Sequence, residues 1–263
     1  MNTSALPKRL LLALSIVLVT GALPQAQATA TYKPEVGQPG KDVVWVPTPQ
    51  ALVDAMLDMA KVTPQDLVMD LGSGDGRTVI TAAKRGITAI GVEYNPDMVQ
   101  LSKNAAAAEG VSGKATFVQA DLFKTDLSKA TVITMFLLPQ INLQLRPTIL
   151  SLKPGTRVVS NSFDMAEWEP DERRTLGPEG CTSWCTAMLW IVPAKVQGTW
   201  KTPQGNLTLT QTFQMLSGTL GSTPIAGKMT GDQITFNAGS TTYTGRVSAD
   251  TIQGSNWTAS RIN

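Results

Sequence analysis

Asp70-Leu71-Gly72-Ser73-Gly74-Asp75-Gly76 is the stretch of this chain whose residue types and spacing suit it best for chemistry. Glycines directly after a strand let the backbone come close to a ligand at the carboxyl edge of a sheet. Two phosphate-binding loops do not fit. A G-x-G-x-x-G turn would need glycine at position 77, where the chain has Arg77, and no G-x-x-x-x-G-K-[ST] run begins here. Asp70 and Asp75 point the same way. A pyrophosphate at a helix N-terminus beside them would be a like-charge arrangement costing on the order of several kcal/mol in a low dielectric. A nucleoside that carries positive charge and no phosphate suits this turn better.

Two further acidic residues stand where such a ligand needs them. Glu93 ends the next strand-like segment, near the roughly 20-residue spacing at which a carboxylate meets ribose hydroxyls. Asp121, followed by Leu122, comes after a third strand, where its carboxylate can accept a hydrogen bond from an adenine amino group. Each acid alone is equally well read as a helix cap or a solvated loop charge. Together, at the ends of three successive strands, they describe a site for S-adenosylmethionine (SAM), whose sulfonium and ammonium favour acidic neighbours. The candidate cofactor-binding set is Asp70, Gly72, Ser73, Gly74, Asp75, Gly76, Glu93, Asp121 and Leu122.

Alternating helical and strand patterns between Trp45 and about Lys195 supply the elements that must position these residues. Thr48 and Pro49 read as an N-cap and first-turn pair, ahead of Leu52, Val53, Met56, Leu57 and Ala60 at helical spacing. Strands are expected at 66–71, 88–93, 115–118, 131–137 and 157–163, with helices at 78–85, from Asn95-Pro96 to Gly110, and at 139–152. Residues 186–193 read as a final antiparallel strand. The expectation is an α/β fold, a Rossmann-like sheet with helices on both faces. After Val196 threonine becomes abundant and short strands alternate with glycine turns, which predicts a small all-β meander or barrel over 196–263. Trp200 near its start and Arg261 near its end resemble the tryptophan–arginine pair that closes lipocalin- and avidin-like barrels. So short a domain is expected to fill its interior with side chains rather than enclose a ligand.

Composition removes several function classes. The chain has no histidine, which excludes Ser-His-Asp hydrolysis, Cys-His proteolysis and His-ligated zinc. Two cysteines cannot form a four-thiolate metal site, so no metal is expected. Residues 1–28 read as a secretory signal: Lys8 and Arg9, an apolar run from Leu10 to Val19, and Ala26-Gln27-Ala28 as a small-x-small cleavage pattern. Residues 29–44 then form a linker, and the chain is expected to be periplasmic or secreted, or else anchored in a membrane by the uncleaved segment. Without Lys8 and Arg9 the chain carries 20 basic residues against 20 acidic. Such a balance offers no electrostatic hold on nucleic acid or on an anionic membrane.

The sequence resembles the class I SAM-dependent methyltransferases, and within them the mitochondrial lysine methyltransferases that modify the adenine nucleotide translocase and ATP synthase. The residues that carry the resemblance are Val46-Pro47-Thr48-Pro49, Asp70 through Arg77, Gly91-Val92-Glu93-Tyr94-Asn95-Pro96, Asp121-Leu122-Phe123, Thr131 to Pro139, Gly155 to Ser160 and Trp168-Glu169-Pro170. It covers roughly residues 45–190, and the N-terminal segment and β-rich domain depart from the mitochondrial members. The resemblance implies SAM as methyl donor and a protein lysine as acceptor. Some methyltransferases bind a planar amine with an Asn/Asp-Pro-Pro-Tyr turn after the fourth strand. Phe136-Leu137-Leu138-Pro139 stands there and lacks the polar amide, which disfavours a nucleobase or glutamine acceptor.

A lysine acceptor must lose a proton from an amine whose ordinary pKa is about 10.4. Without histidine that task falls to water, a carboxylate or desolvation. No catalytic base is assigned from the sequence. Phe136 and Trp45 either line an acceptor channel or belong to the core. Cys181 and Cys185 are either a short-loop disulfide or two thiols, since spacing does not settle geometry. Two other functions fit the same residues: a methyltransferase acting on a small molecule or lipid, and an exported, non-enzymatic module that binds SAM or another nucleoside. The partner of the β-domain is not legible. Glu93→Ala is expected to weaken SAM binding while leaving the thermal transition of the apo protein nearly unchanged.

Overall fold

The computed structural model describes residues 1–3 and 32–262, so the expected signal segment lies almost wholly outside the described residues. Lys33–Asn263 forms one unit that holds both a mixed sheet and a barrel.

In the first half, β1 (Leu67–Leu71), β2 (Thr88–Glu93), β3 (Ala115–Gln119), β4 (Val132–Met135) and β5 (Arg157–Asn161) are parallel. Antiparallel β6 (Glu172–Thr175) and β7 (Thr186–Ile191) complete the sheet in the order β3-β2-β1-β4-β5-β7-β6. Strand order reverses between β1 and β4, so the crevice at their carboxyl ends is where a ligand is expected. Helices α1 (Gln50–Met59), α2 (Arg77–Lys84), α3 (Pro96–Ala108) and α4 (Pro139–Ile149) cover the faces. Alternation along each strand feeds two cores. Val68, Ala89, Val132 and Val159 pack with α1, α2 and α3, whereas Met69, Leu71, Ile133, Met135 and Val158 pack with Ile141, Leu145 and Ile149 of α4.

Local details follow from the sequence, with exceptions. Asn95 caps α3, its Oδ1 accepting from the N–H of Asp97 and of Met98. Pro49, not Thr48, holds the cap position of α1 and gives no side-chain cap; Thr48 is buried, its Oγ1 accepting a 3.4 Å bond from Asn161. Strand β6 is absent from the sequence expectation. Its Glu-Arg-Arg-Thr sequence is exposed throughout and has no apolar alternation to announce it. Charges on an edge strand guard it against further pairing.

The second half is an eight-stranded closed barrel of β8 (Gly198–Thr202), β9 (Gly205–Thr212), β10 (Met215–Leu220), β11 (Thr223–Thr230), β12 (Gln233–Ala238), β13 (Thr241–Ser248), β14 (Thr251–Gly254) and β15 (Thr258–Arg261). Each strand pairs antiparallel with the next, and β15 closes on β8. Trp200, Leu207, Leu209, Met229, Ile234, Phe236 and Ile252 fill the interior. The expected closure is present: the Arg261 guanidinium lies 4.2 Å from the Trp200 ring centroid and donates to the carbonyls of Lys195 and Gln197. Trp200 in turn donates its indole N–H to the Val196 carbonyl. The barrel docks on the sheet through Phe213, stacked on Trp168 and covered by Arg146, and through Lys228, 2.7 Å from Asp171.

Candidate functional site

Asp70 is the last but one residue of β1 and pairs with Thr134 of β4, across the point where strand order reverses. Its carboxylate is buried and accepts a 2.6 Å hydrogen bond from the Thr134 hydroxyl. Burial pushes its pKa up to about 7, and the nearby Asp75 and Glu93 carboxylates push the same way. The arrangement holds negative charge at high cost, and a cation in the crevice would relieve it.

The turn after β1 is built by its backbone. Gly72, Gly74 and Gly76 have φ of +75°, +54° and +81°. The N–H groups of Gly72 and Ser73 both donate to the carbonyl of Val92, which ties the turn to β2. A Cβ at Gly74 would stand 2.5 Å from the Trp45 indole nitrogen, so both conformation and crowding require glycine there. Ser73 Oγ is buried without a hydrogen-bond partner among the described residues, which leaves it free to meet a ligand.

Asp70, Gly72, Ser73, Gly74, Asp75, Glu93, Asp121 and Leu122 line one cleft. Gly76 does not. It caps α2, and a Cβ there would press on Phe117 and on Ser102, so its role is to let the helix start against the neighbouring elements. Three of the acids also have local work. Asp75 is gripped by Arg77, whose Nε and Nη2 reach it at 3.0 and 2.6 Å and whose Nη1 donates to the Thr48 carbonyl. Glu93 accepts from the N–H of Gly74 and of Asn95, both at 2.9 Å. Removing its carboxylate therefore loosens the glycine turn itself, so the expectation that Glu93→Ala spares apo stability is corrected. Asp121 accepts from the Phe123 N–H and lies 3.6 Å from the Lys41 ammonium. A carboxylate has further lone pairs, so each acid can still meet a ligand.

One wall of the cleft is legible in the sequence only at Trp45 and Val46-Pro47-Thr48, not over residues 38–44. Residues 38–48 line it, although 29–44 reads as a linker. Trp45 and Gly37 fold this strap on itself through bonds from Gly37 N–H to the Trp45 carbonyl and from Trp45 N–H to the Gln38 carbonyl. Lys41 lies over the rings of Tyr94 and Phe123 at 5.5 and 5.7 Å, and its hydrogen bond to Asp42 holds the ammonium above its ordinary range. Phe136 also lines the cleft, immediately after β4. Behind it stand Phe163 and Trp184, with ring centroids 5.2 to 6.1 Å apart. Cys181 and Cys185 form a disulfide around Trp184, which resolves the alternative left open by their spacing.

The ANTKMT methyltransferase domain family matches residues 70–172, from the carboxylate under the cleft to the edge strand β6. A protein-lysine N-methyltransferase of Saccharolobus islandicus is 47% identical over 133 residues, which are 49% of this chain and 83% of that protein. The chain belongs to the class I SAM-dependent methyltransferases, in the ANTKMT group. A human lysine N-methyltransferase of ATP synthase is 39% identical over 128 residues, and the chain spans about half of it (54%). Among solved structures, an RNA methyltransferase from Salinibacter ruber in complex with S-adenosyl-L-homocysteine is 45% identical, with a TM-score of 0.52 over 57% of this chain and 96% of that one. This methyltransferase is an enzyme that uses SAM, so the non-enzymatic alternative has no support.

Proposed function

We propose that this methyltransferase transfers the methyl group of SAM to a lysine side chain of a protein. The observation that carries the reading is the cleft. A buried carboxylate and a glycine turn stand on one side, and the turn after β4 is apolar and aromatic, with no side-chain amide to receive a nucleobase. The relatives named for lysine methylation support it over the matched half of the chain.

Bound SAM would supply an electrophilic methyl group on a positively charged sulfur. Asp70, Ser73 and the Gly72 carbonyl would hold its charged end, with Gly74 giving the close approach, Glu93 would hold its ribose, and Asp121 with Leu122 its adenine. Phe136 and the strap residue Trp45 would exclude water and desolvate the acceptor amine, which lowers its pKa and favours the neutral nucleophile without a histidine. The Salinibacter neighbour raises RNA as a second acceptor. Twenty acidic residues against the chain's 22 basic ones leave little to neutralise phosphates, and this favours protein.

The same proposal places the enzyme outside the cytoplasm. The basic, apolar and small-residue segments of 1–28 support it, and so does the Cys181–Cys185 disulfide, a bond that persists in oxidising compartments. The β-barrel then faces the same compartment as the cleft.

The test is incubation of the full chain with methyl-labelled SAM and fractionated extracts of the source cells. Label is expected in protein, and acid hydrolysis should release it as methyl-lysine. Label in RNA or in lipid and small-molecule fractions, with none in protein, would overturn the lysine reading.

A further inference from the structure

Beside the cleft stands an aromatic lip, two of whose three members, Phe163 and Trp184, are not among the residues that line the cleft. Phe136 follows β4, Phe163 follows β5 and Trp184 precedes β7. These three strands are neighbours, and β7 runs antiparallel, so the three rings meet at one end of the sheet. The centroid separations of 5.2 to 6.1 Å are those of rings in contact, so the lip is a packed platform with no gap between its members. Phe136 is the link, because it belongs to the platform and lines the cleft.

Trp184 is the outer member, and two of its features need a reason. It is 46% exposed, although it is the largest apolar side chain available to bury. Its backbone sits at φ +58°, a conformation unusual for so bulky a residue. The Cys181–Cys185 disulfide closes the short loop around it and restricts the alternatives open to that backbone. A tryptophan held exposed in this way beside a cleft presents an electron-rich face, which attracts an ammonium group and packs against the aliphatic stem that carries it.

We infer that Trp184 is the docking residue for the acceptor lysine, and that the Cys181–Cys185 disulfide is its positioning device. This rests on the lysine reading given above. The acceptor's stem would lie on the Trp184 face and pass Phe136 into the cleft. The group recognised is a primary alkylammonium on a protein surface. Opening the disulfide would then weaken acceptor binding without touching the cofactor residues.

The experiment measures methyl transfer by the full chain to a synthetic peptide library with one central lysine, and to a matching library with norleucine in its place. Trp184→Ala is expected to raise KM for the lysine library by about tenfold with kcat changed less than about twofold. Trp184→Phe should restore most of the loss. Dithiothreitol, which reduces the disulfide to two thiols as it is itself oxidised to a cyclic disulfide, should raise the wild-type KM similarly and add nothing in Trp184→Ala. Calorimetric titration of SAM should give the same affinity in all forms. An unchanged KM in Trp184→Ala overturns the inference alone, and loss of SAM binding in that variant overturns it by making the residue structural. No transfer to the lysine library by the wild type, or equal transfer to norleucine, overturns the lysine reading and this inference with it.

Discussion

The open sheet and the closed barrel of this chain use their strands in opposite ways. In the sheet, β1 and β4 are buried on both faces, yet Asp70 and Thr134 interrupt the apolar run just where strand order reverses. In the barrel, the inward positions of every long strand go to packing, and threonine and other polar side chains face outward. A parallel sheet ends its strands at one edge, where carboxylates and free backbone groups converge. A barrel that closes after eight antiparallel strands spends its interior on stability. The contrast assigns chemistry to the first region and cohesion to the second.

Four measurements test that assignment. The largest effect is expected from Trp200→Ala. Removing a fully buried indole that also carries Arg261 should cost about 3–5 kcal/mol of barrel stability. SAM affinity measured by calorimetry below the transition should stay the same; a large loss of affinity would show that the barrel shapes the cleft. Glu93→Ala should weaken SAM binding on the order of a hundredfold, about 2.7 kcal/mol. Because Gly74 and Asn95 lose their acceptor, its apo melting temperature should fall as well.

The third measurement is a pH series on Asp70. Its folded pKa is raised to about 7, so between about pH 4 and 7 the native state binds more protons than the unfolded one. The stability contributed by this group is therefore complete at acid pH and is lost as pH rises through about 7. Asp66, whose pKa is lowered even though burial pushes against that, works in the opposite sense by losing its contribution as pH falls, so the comparison must be with Asp70→Asn. That variant should melt above the wild type at pH 8 and bind SAM more weakly. Wild-type SAM affinity should rise with pH through about 7 with release of a proton, read from titrations in buffers of different ionisation enthalpy. A flat affinity profile would place the cationic end of the ligand elsewhere. The smallest effect belongs to the seam between the regions. Gln214→Ala removes a buried 2.7 Å bond to the Glu169 carbonyl and should cost about 1 kcal/mol. Differential scanning calorimetry would show whether the sheet and barrel transitions then separate.

The two regions were also legible in the sequence to different degrees. The five parallel strands stand out because each is a short apolar run stopped by glycine, proline, asparagine or an acid, and Asp70, Glu93 and Asp121 fall at three of those stops. The barrel is legible through its glycine turns and through the Trp200 and Arg261 pair. The first part of the strap, 38–44, is not, because its prolines, glycines and single polar residues carry no period, while Trp45 is set in place by contact with the turn around Gly74. The aromatic lip is the most instructive omission. Phe136, Phe163 and Trp184 are far apart in the chain and are gathered by sheet order alone. An antiparallel last strand at 186–193 was nevertheless readable, and it would have placed the residues just before it beside the ends of β4 and β5.

Arg261 reaches back to the carbonyls of Lys195 and Gln197. That loop spans the whole barrel, so its closure is a late event in the history of each molecule. Before β15 docks, the sheet strands from β1 to β7 can already pair, and β8 is paired to β9 but keeps its other edge open. Until Arg261 emerges and the seam with β8 forms, the half-built barrel is a template for pairing with other chains. The open edge of the barrel is thus protected only once β15 has paired with β8.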